Sequence, residues 1–287
     1  MRGREAASWA RQEKAKRVLG EVLRLCDAES IDVLPVKGIL TARTLYEDPA
    51  ERWIQDIDFR VRPRDLRRLK SMGTRAGWRV LTWSPVYRNL VFDVDGFMAE
   101  FEAFVGPPGF CRVTVDELLS RAEPQVEPFG FPYKRIALTD HALVLVINAF
   151  KDKLNEATEG AIRDLEILGP RIDAPRLAAL ATRADVATVL WIVADWLTHT
   201  RNVKEWREVL VAIGRPPRER YAAAYKKHLL QVAITPRRRA GGSLVFRLLA
   251  RAASDAPEMR ALALATMGAW IVEQRLQSSA EACTNRS

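Results

Sequence analysis

The sequence predicts a mixed α/β N-terminal half followed by an all-helical C-terminal half, with the change near residue 135. Three observations carry this. Short runs between residues 32 and 105 alternate apolar with polar residues, as half-buried strands do. From Thr139 onward the apolar residues recur at helical spacing. Between the two patterns lie Gly106-Pro107-Pro108-Gly109 and the proline-containing stretch 123–133, which suit neither a strand nor a helix interior. The chain of 287 residues is 48% apolar, enough for a sizeable core, so whole-chain disorder is excluded. Cys26, Cys111 and Cys283 are too few and too scattered for a disulfide scaffold.

Residues 8–30 place Val18, Leu19, Val22, Leu23 and Cys26 on one helical face. Asp32–Val36 reads as a short extended segment ended by Lys37-Gly38. A second helix runs from Ile39 to Tyr46 and is broken by Asp48-Pro49. Ile54–Arg62 is a strand, with Ile57, Phe59 and Val61 alternating against Asp56, Asp58 and Arg60; Pro63 ends it. Arg64–Ala76 is a basic amphipathic helix stopped by Gly77. Trp78–Trp83, Tyr87–Val94 and Phe97–Val105 are three further strands, the last two joined by the two-residue hairpin signal Asp95-Gly96. Asp116–Arg121 is a short helix and Glu123–Tyr133 a connector. Thr139 or Asp140 caps the first helix of the second half. Gly169-Pro170, Gly214 to Pro217 and Gly241-Gly242 punctuate the later helices, and Ser278–Ser287 frays. The organisation expected is 1–135, 136–280 and a disordered tail, 281–287.

Met1-Arg2-Gly3-Arg4-Glu5 carries charge where a secretory leader carries an apolar block. No window approaches the ~18 consecutive apolar residues of a membrane helix. The expected location is cytoplasmic, with no membrane partner. The longest apolar run, Ala142 to Phe150, is interrupted by Asn148 and suits a buried helix.

The segment richest in chemistry is Lys37-Gly38 followed by Arg52-Trp53-Ile54-Gln55-Asp56-Ile57-Asp58. Residues two apart on a strand share a face, so Asp56 and Asp58 present paired carboxylates. Such a pair repels itself unless a cation intervenes, and hard oxygen ligands on a rigid strand suit Mg²⁺ shared with substrate phosphates. Gly38 lets the backbone approach an anion, with the first-turn N–H groups of the following helix facing it. By itself an Asp-x-Asp pair is also the ordinary solvated face of a strand. The hairpin adds to it: a turn at Asp95-Gly96 sets Val91 opposite Glu100 and Asp93 opposite Met98. A third carboxylate is then available from Glu100, Glu102 or Asp93, in that order of preference.

These residues resemble the nucleotidyltransferase superfamily of the DNA polymerase β type. They are similar in particular to an uncharacterised bacterial family with Lys-Gly, then Arg-x-x-Gly-Asp-Ile-Asp, then a block matched by Arg62-Pro63-Arg64-Asp65-Leu66. A later acidic block aligns with Ala99-Glu100-Phe101-Glu102-Ala103. A helix Lys and a downstream Arg-Asp-Leu, shared with abortive-infection nucleotidyltransferases, match Lys153 and Arg163-Asp164-Leu165. The resemblance covers about residues 20–170. It implies a nucleotidyltransferase core, a short mixed sheet flanked by helices, ahead of the helical half.

The resemblance further implies transfer of NMP from an NTP to an acceptor hydroxyl on RNA, protein or a small molecule, with loss of pyrophosphate. Asp56, Asp58 and Glu100 would hold two Mg²⁺ ions. Lys37, Gly38 and the backbone at Ile39 would cradle the triphosphate, Lys153 would help neutralise it, and Arg52 would brace the strand or contact phosphate. The chain departs from the pattern at Ile39, where the superfamily has Ser, and at Gln55, where it has Gly. The missing hydroxyl supports a second reading, nucleotide binding without turnover by a regulator or scaffold.

Other features read as structural. Asp164 caps a helix or pairs with Arg163 or Lys153, a structural ion pair being at least as expected as a catalytic role. His141, His199 and His228 lack metal-ligand spacing, and Trp191, Trp196 and Trp206 form a core stripe. The chain carries a net charge of +9, and residues 201–239 hold eleven Lys and Arg against three Glu. That segment is either a solvated face or a phosphate-tracking surface for tRNA or other RNA; an anionic membrane surface is a weaker third reading, because the core needs the apolar face.

Overall fold

The computed structural model describes residues 2–151, 154, 159–234 and 244–284. Helix α1 (Arg2–Ala28) buries Ala15, Val18, Leu19, Val22 and Cys26 along one side. It is followed by β1 (Val33–Val36), α2 (Gly38–Leu45), β2 (Asp56–Val61), α3 (Leu66–Arg75), β3 (Arg79–Ser84), β4 (Asn89–Val94) and β5 (Phe97–Glu102). The strands form one mixed sheet in the order β1-β2-β5-β4-β3. β1 runs antiparallel to β2, β2 parallel to β5, and β3 to β5 are antiparallel neighbours. The hairpin register follows from its turn: Val94 pairs with Phe97 across Asp95-Gly96, which sets Val91 opposite Glu100 and Asp93 opposite Met98.

One face of the sheet is aromatic. Phe59 of β2 stacks on Phe101 of β5 at 4.8 Å, Phe92 meets Phe101 edge-on, and Trp78 meets Phe92 edge-on. The other face of β2 departs from the sequence pattern. Alternation there reads as a solvated polar edge, yet Asp58 and Arg60 are both buried. Lys37, at the β1–α2 junction, pairs with Asp58, and Glu102 of β5 pairs with Arg60. Residues of two helices of the second half border the same cavity as Asp58, a packing that no local pattern encodes.

The rest is helical: α4 (Val115–Arg121), α5 (Leu138–Lys151), α6 (Glu159–Leu168), α7 (Ala174–Arg183), α8 (Ala187–Thr200), α9 (Trp206–Ile213), α10 (Glu219–Ile234), α11 (Leu244–Arg251) and α12 (Pro257–Thr284). The stretch read as a plain connector instead pairs its ends as a two-stranded sheet, β6 (Glu123–Gln125) with β7 (Tyr133–Arg135). α5 begins at Leu138, so Thr139 and Asp140 lie inside its first turn rather than capping it. Asp140 accepts two 2.8 Å bonds from Arg121. The Gly241-Gly242 break lies outside the described residues, and α12 runs on through the segment expected to fray, to Thr284.

The buried core is a single cluster reaching from Ala15 to Ala253. It passes through residue 135 without a break, with Phe110 against Phe150 (5.9 Å) and Phe150 stacked on Tyr225 (4.4 Å). The tryptophans read as a core stripe pack as one: Trp206 is fully buried, and Trp191 and Trp196 lie against the cluster. α12 returns to the sheet, where Trp270 meets Tyr87 edge-on at 5.5 Å and Ser84 donates to Glu273 at 2.6 Å. Among the described residues no helix is long and apolar enough to cross a membrane.

α12 sits directly on Gly109. A Cβ there would stand 2.5 Å from the amide N of Ala263 and 2.6 Å from the carbonyl O of Met259, and Gly109 has φ +75°. Helix backbone cannot yield as a side-chain tip does. Gly109→Ala therefore adds overpacking to a left-handed backbone, and should lower stability in urea unfolding by about 2–4 kcal/mol. An unchanged midpoint would show that α12 does not need this approach.

Candidate active site

Polar side chains of α1 fix the chain entering β2. Ser8 donates to the Ala50 carbonyl (2.6 Å), and Gln12 Nε2 donates to those of Pro49 (2.7 Å) and Arg52 (2.8 Å). Arg11 donates to the carbonyls of Ile54 and Gln55 while lying over the rings of Trp53 and Phe97. The loop carrying Arg52 to Gln55 is thus held by side chains far upstream in sequence, each satisfying a backbone carbonyl.

β2 and β5 then place the acids. Their parallel register sets Asp58 opposite Glu100 and Asp56 opposite Met98. Asp56, Asp58 and Glu100 each offer a carboxylate oxygen, and these oxygens all lie within 4.8 Å of one another. The three groups border a cavity of about 270 Å³. Its walls also include Lys37 and Gly38 from the β1–α2 junction, Arg52, Leu145, Asn148 and Lys151 of α5, and Asp164 of α6.

The electrostatics follow from crowding. Burial raises the Asp56 carboxyl above its ordinary range, and the Asp58 charge raises it further. Burial also raises Glu100, with the charges of Glu102 and Asp58 adding to it. Lys37 Nζ lies 2.6 Å from Asp58 Oδ1 and 3.4 Å from Asn148 Oδ1. Burial opposes its charge, yet Asp58, Glu102 and Glu100 together hold the ammonium above the ordinary lysine range. Asn89 Nδ2 donates to Glu100 Oε1 at 2.6 Å. The other two carboxylates considered for the third position are occupied elsewhere. Glu102 forms an ion pair with Arg60, and Asp93 pairs with Arg79 at 2.6 Å. Despite burial, Arg60 first, then Lys151 and Lys37, bring Glu102 down to about 2.

Arg52 forks onto Asp164, with Nε to Oδ1 at 2.9 Å and Nη2 to Oδ2 at 3.1 Å, and Tyr46 donates to the same Oδ1 at 2.8 Å. This two-pronged pair ties the entrance of β2 to α6. Asp164 therefore takes a partner other than the nearby Arg163, which turns to Glu166 at 3.2 Å. Gly160 makes room for the fork, since a Cβ there would stand 2.5 Å from Arg52 Nη1.

Gly38 has φ +30° and lines the cavity, where a Cβ would touch the Asp56 carbonyl O and Ile54 Cγ2 at 3.4 Å. Ile39 is buried in the core, and its side chain is not part of the cavity wall. Lys153 lies outside the described residues. Asn148, Lys151 and Asn89 were not anticipated. The signal for Asn148 was present: a single amide interrupting the apolar run of α5, with Lys151 one turn further on the same side. Elsewhere, burial lowers His141 to about 4 and raises Cys111 to about 12, states that leave both uncharged at neutral pH.

Three hard carboxylate oxygens on rigid adjacent strands fit a divalent cation. Asn89 engages one oxygen of Glu100, and Lys37 one oxygen of Asp58.

The profile of a family described as "Uncharacterised nucleotidyltransferase" matches residues 1–202, more than half of the chain. The chain belongs to that family. The match runs across residue 135 and takes in the helices that complete the cavity. No curated protein matches the chain. Several solved structures are similar to this chain at low identity. The antibiotic-resistance factor ANT(2'')-Ia is 13% identical, over 60% of this chain and 91% of that one, with a TM-score of 0.41. An antigenic nucleotidyltransferase-like protein from Paracoccidioides brasiliensis is 12% identical over 68% and 93% respectively, at 0.45. A tRNA-processing enzyme is 14% identical over 86% and 74%, at 0.30.

The raised Glu100 carboxyl gives a pH test. Its ionised form is disfavoured by folding, a cost fully present above the raised folded value and absent below the ordinary 4.5. In metal-free buffer, Glu100→Gln should therefore unfold at higher urea than the parent at pH 8, and the gain should shrink to nothing as pH falls toward 4.5. A variant less stable than the parent at pH 8 would show that the charge is compensated.

Proposed function

We propose that the protein transfers an NMP from an NTP to an acceptor hydroxyl, releasing pyrophosphate, at the Asp56/Asp58/Glu100 centre. The observation that carries this is the convergence of these three carboxylates on one cavity, beside a lysine and a glycine-led helix, in a member of a nucleotidyltransferase family. Asp56, Asp58 and Glu100 would hold two Mg²⁺ ions, which supply Lewis acidity to the triphosphate and lower the pKa of the attacking hydroxyl. The acceptor oxygen bonds to the α-phosphorus as the bond to the bridging oxygen of pyrophosphate breaks, and the hydroxyl proton passes to water.

The protein's own groups prepare this step. Lys37 and Lys151 bring positive charge to the cavity, where phosphate oxygens need it. Gly38 leaves the wall open to them. Arg52, braced by Asp164 and Tyr46, holds the entrance of β2 so that Asp56 and Asp58 keep their separation. Such pre-set charge costs little reorganisation during reaction.

Incubation with each α-labelled NTP, Mg²⁺ and total cell RNA or lysate tests the reading. Label should appear on an acceptor, and Asp58→Asn should reduce it by about 100-fold or more. NTP binding without transfer to any acceptor would overturn the enzyme and favour the regulatory reading that Ile39 suggests.

We infer further that the acceptor is RNA, held along residues 201–234. Not every cation there is free for it. Arg201 pairs with Glu159 and Glu166, Lys226 with Asp195, and Arg218 donates to the carbonyls of Ala252 and Ser254. Lys204, Arg207, Arg215, Arg220 and Lys227 are exposed, Arg215 with a surface ion pair to Glu219 at 3.8 Å, and Arg237, Arg238 and Arg239 lie outside the described residues. Reversing charge at Arg215, Arg220 and Lys227 should weaken RNA binding. It should also flatten the log–log salt slope by about 0.7 per lost contact to single-stranded phosphate. Unchanged, salt-insensitive affinity would make this a solvated face.

A further inference from the structure

The proposed reaction leaves the posture of Lys37 unexplained. Its backbone stands at φ 56°, ψ −157°, a region in which few residues other than glycine are at ease, and no side chain caps α2 there. An observed outlier of this kind at a cavity wall needs a reason. The side chain supplies one: buried beside the sheet, its ammonium reaches Asp58 Oδ1 at 2.6 Å and Asn148 Oδ1 at 3.4 Å. The neighbouring guanidinium groups are committed, Arg52 to Asp164 and Arg60 to Glu102. Lys151 lines the same cavity but makes no ion pair with the three carboxylates. Among the described residues Lys37 is thus the cation bonded to the triad, and it bonds the same carboxylate that a metal would use.

We propose that Lys37 is an exchangeable counter-cation. It neutralises Asp58 before a divalent ion arrives, yields that carboxylate to the ion, and turns its ammonium to a phosphate oxygen of the incoming triphosphate. This rests on the metal-dependent reading above. An ammonium has three donors and two are engaged here, so a third is available to start the exchange. While Lys37 holds Asp58 it competes with the metal; once an anion takes the ammonium, that competition ends. By linkage the effect is reciprocal, each ligand easing entry of the other. Asn148 keeps one bond to the ammonium beside the triad.

The test reads binding rather than turnover: Mn²⁺ affinity of the nucleotide-free full chain, followed by the EPR signal of free Mn²⁺. Lys37→Met and Lys37→Gly should both bind Mn²⁺ about 10-fold more tightly than the parent, within the usual range of such couplings. Lys37→Gly adopts the local backbone without strain, so it guards against misfolding and separates charge from conformation. Lys151→Met, which removes a cation from the same cavity without freeing a triad oxygen, should change Mn²⁺ affinity less than about 3-fold, below that coupling range. Inorganic tripolyphosphate, without metal, should bind Lys37→Met about 10-fold more weakly than the parent, the same coupling scale. Mn²⁺ affinity that is unchanged or weaker in both Lys37 variants would overturn the exchange. So would an equal gain in Lys151→Met. If no variant binds Mn²⁺ and Asp56→Asn makes no difference, the metal-dependent reading fails and the exchange falls with it.

Discussion

Three carboxylates held with oxygens within 4.8 Å of one another repel, and most of the architecture around them exists to keep them there. The parallel register of β2 on β5 fixes their spacing, because a strand inside a sheet cannot slide by one residue without turning every side chain to the other face. The aromatic face beneath, with Phe59 on Phe101, resists such a slip by burying apolar surface. Above, Lys37 bonds Asp58 and brings compensating charge. Buried charges of this kind add little to stability on balance, since desolvation offsets attraction. What they provide is a concentrated negative site with fixed geometry, which fits a divalent ion.

That site belongs to neither half of the chain. The sheet supplies the acids, the helices after residue 138 supply Asn148, Lys151 and Asp164, and the family match spans both. The Arg52–Asp164 fork is a two-bond cross-connection at the cavity. It anchors the loop before β2 from one side while α1 holds it from the other through Ser8, Arg11 and Gln12. The loop therefore has little freedom although it lacks regular structure, and Asp56 inherits that rigidity.

Charge is distributed according to the same logic. The N-terminal half balances its cations with acids, many of them in specific pairs, whereas an exposed excess lies at 201–234 in the helical half. Several cations in that segment have structural employment, Arg218 most clearly, since it holds two carbonyls at the entrance to α12. The net charge of +9 thus overstates the surface open to a polyanion.

By itself the sequence determined the α/β-then-helical order, the five strands, the hairpin register and the Asp56/Asp58 pair. These are all local matters: period-two and period-3.6 patterns and a two-residue turn act over a few residues. Glu100 was legible for the same reason, because the turn at Asp95-Gly96 sets its face. Tertiary structure alone decided that the polar face of β2 is buried, and that Asp164 answers Arg52 rather than Arg163. It also decided that Glu102 belongs to Arg60, and that Asn148 and Lys151 complete the cavity. Each of these joins residues far apart in the chain, as when 112 positions separate Arg52 from Asp164. Attraction between charges depends on where packing brings them and not on their distance along the chain, so no local pattern announces the partner.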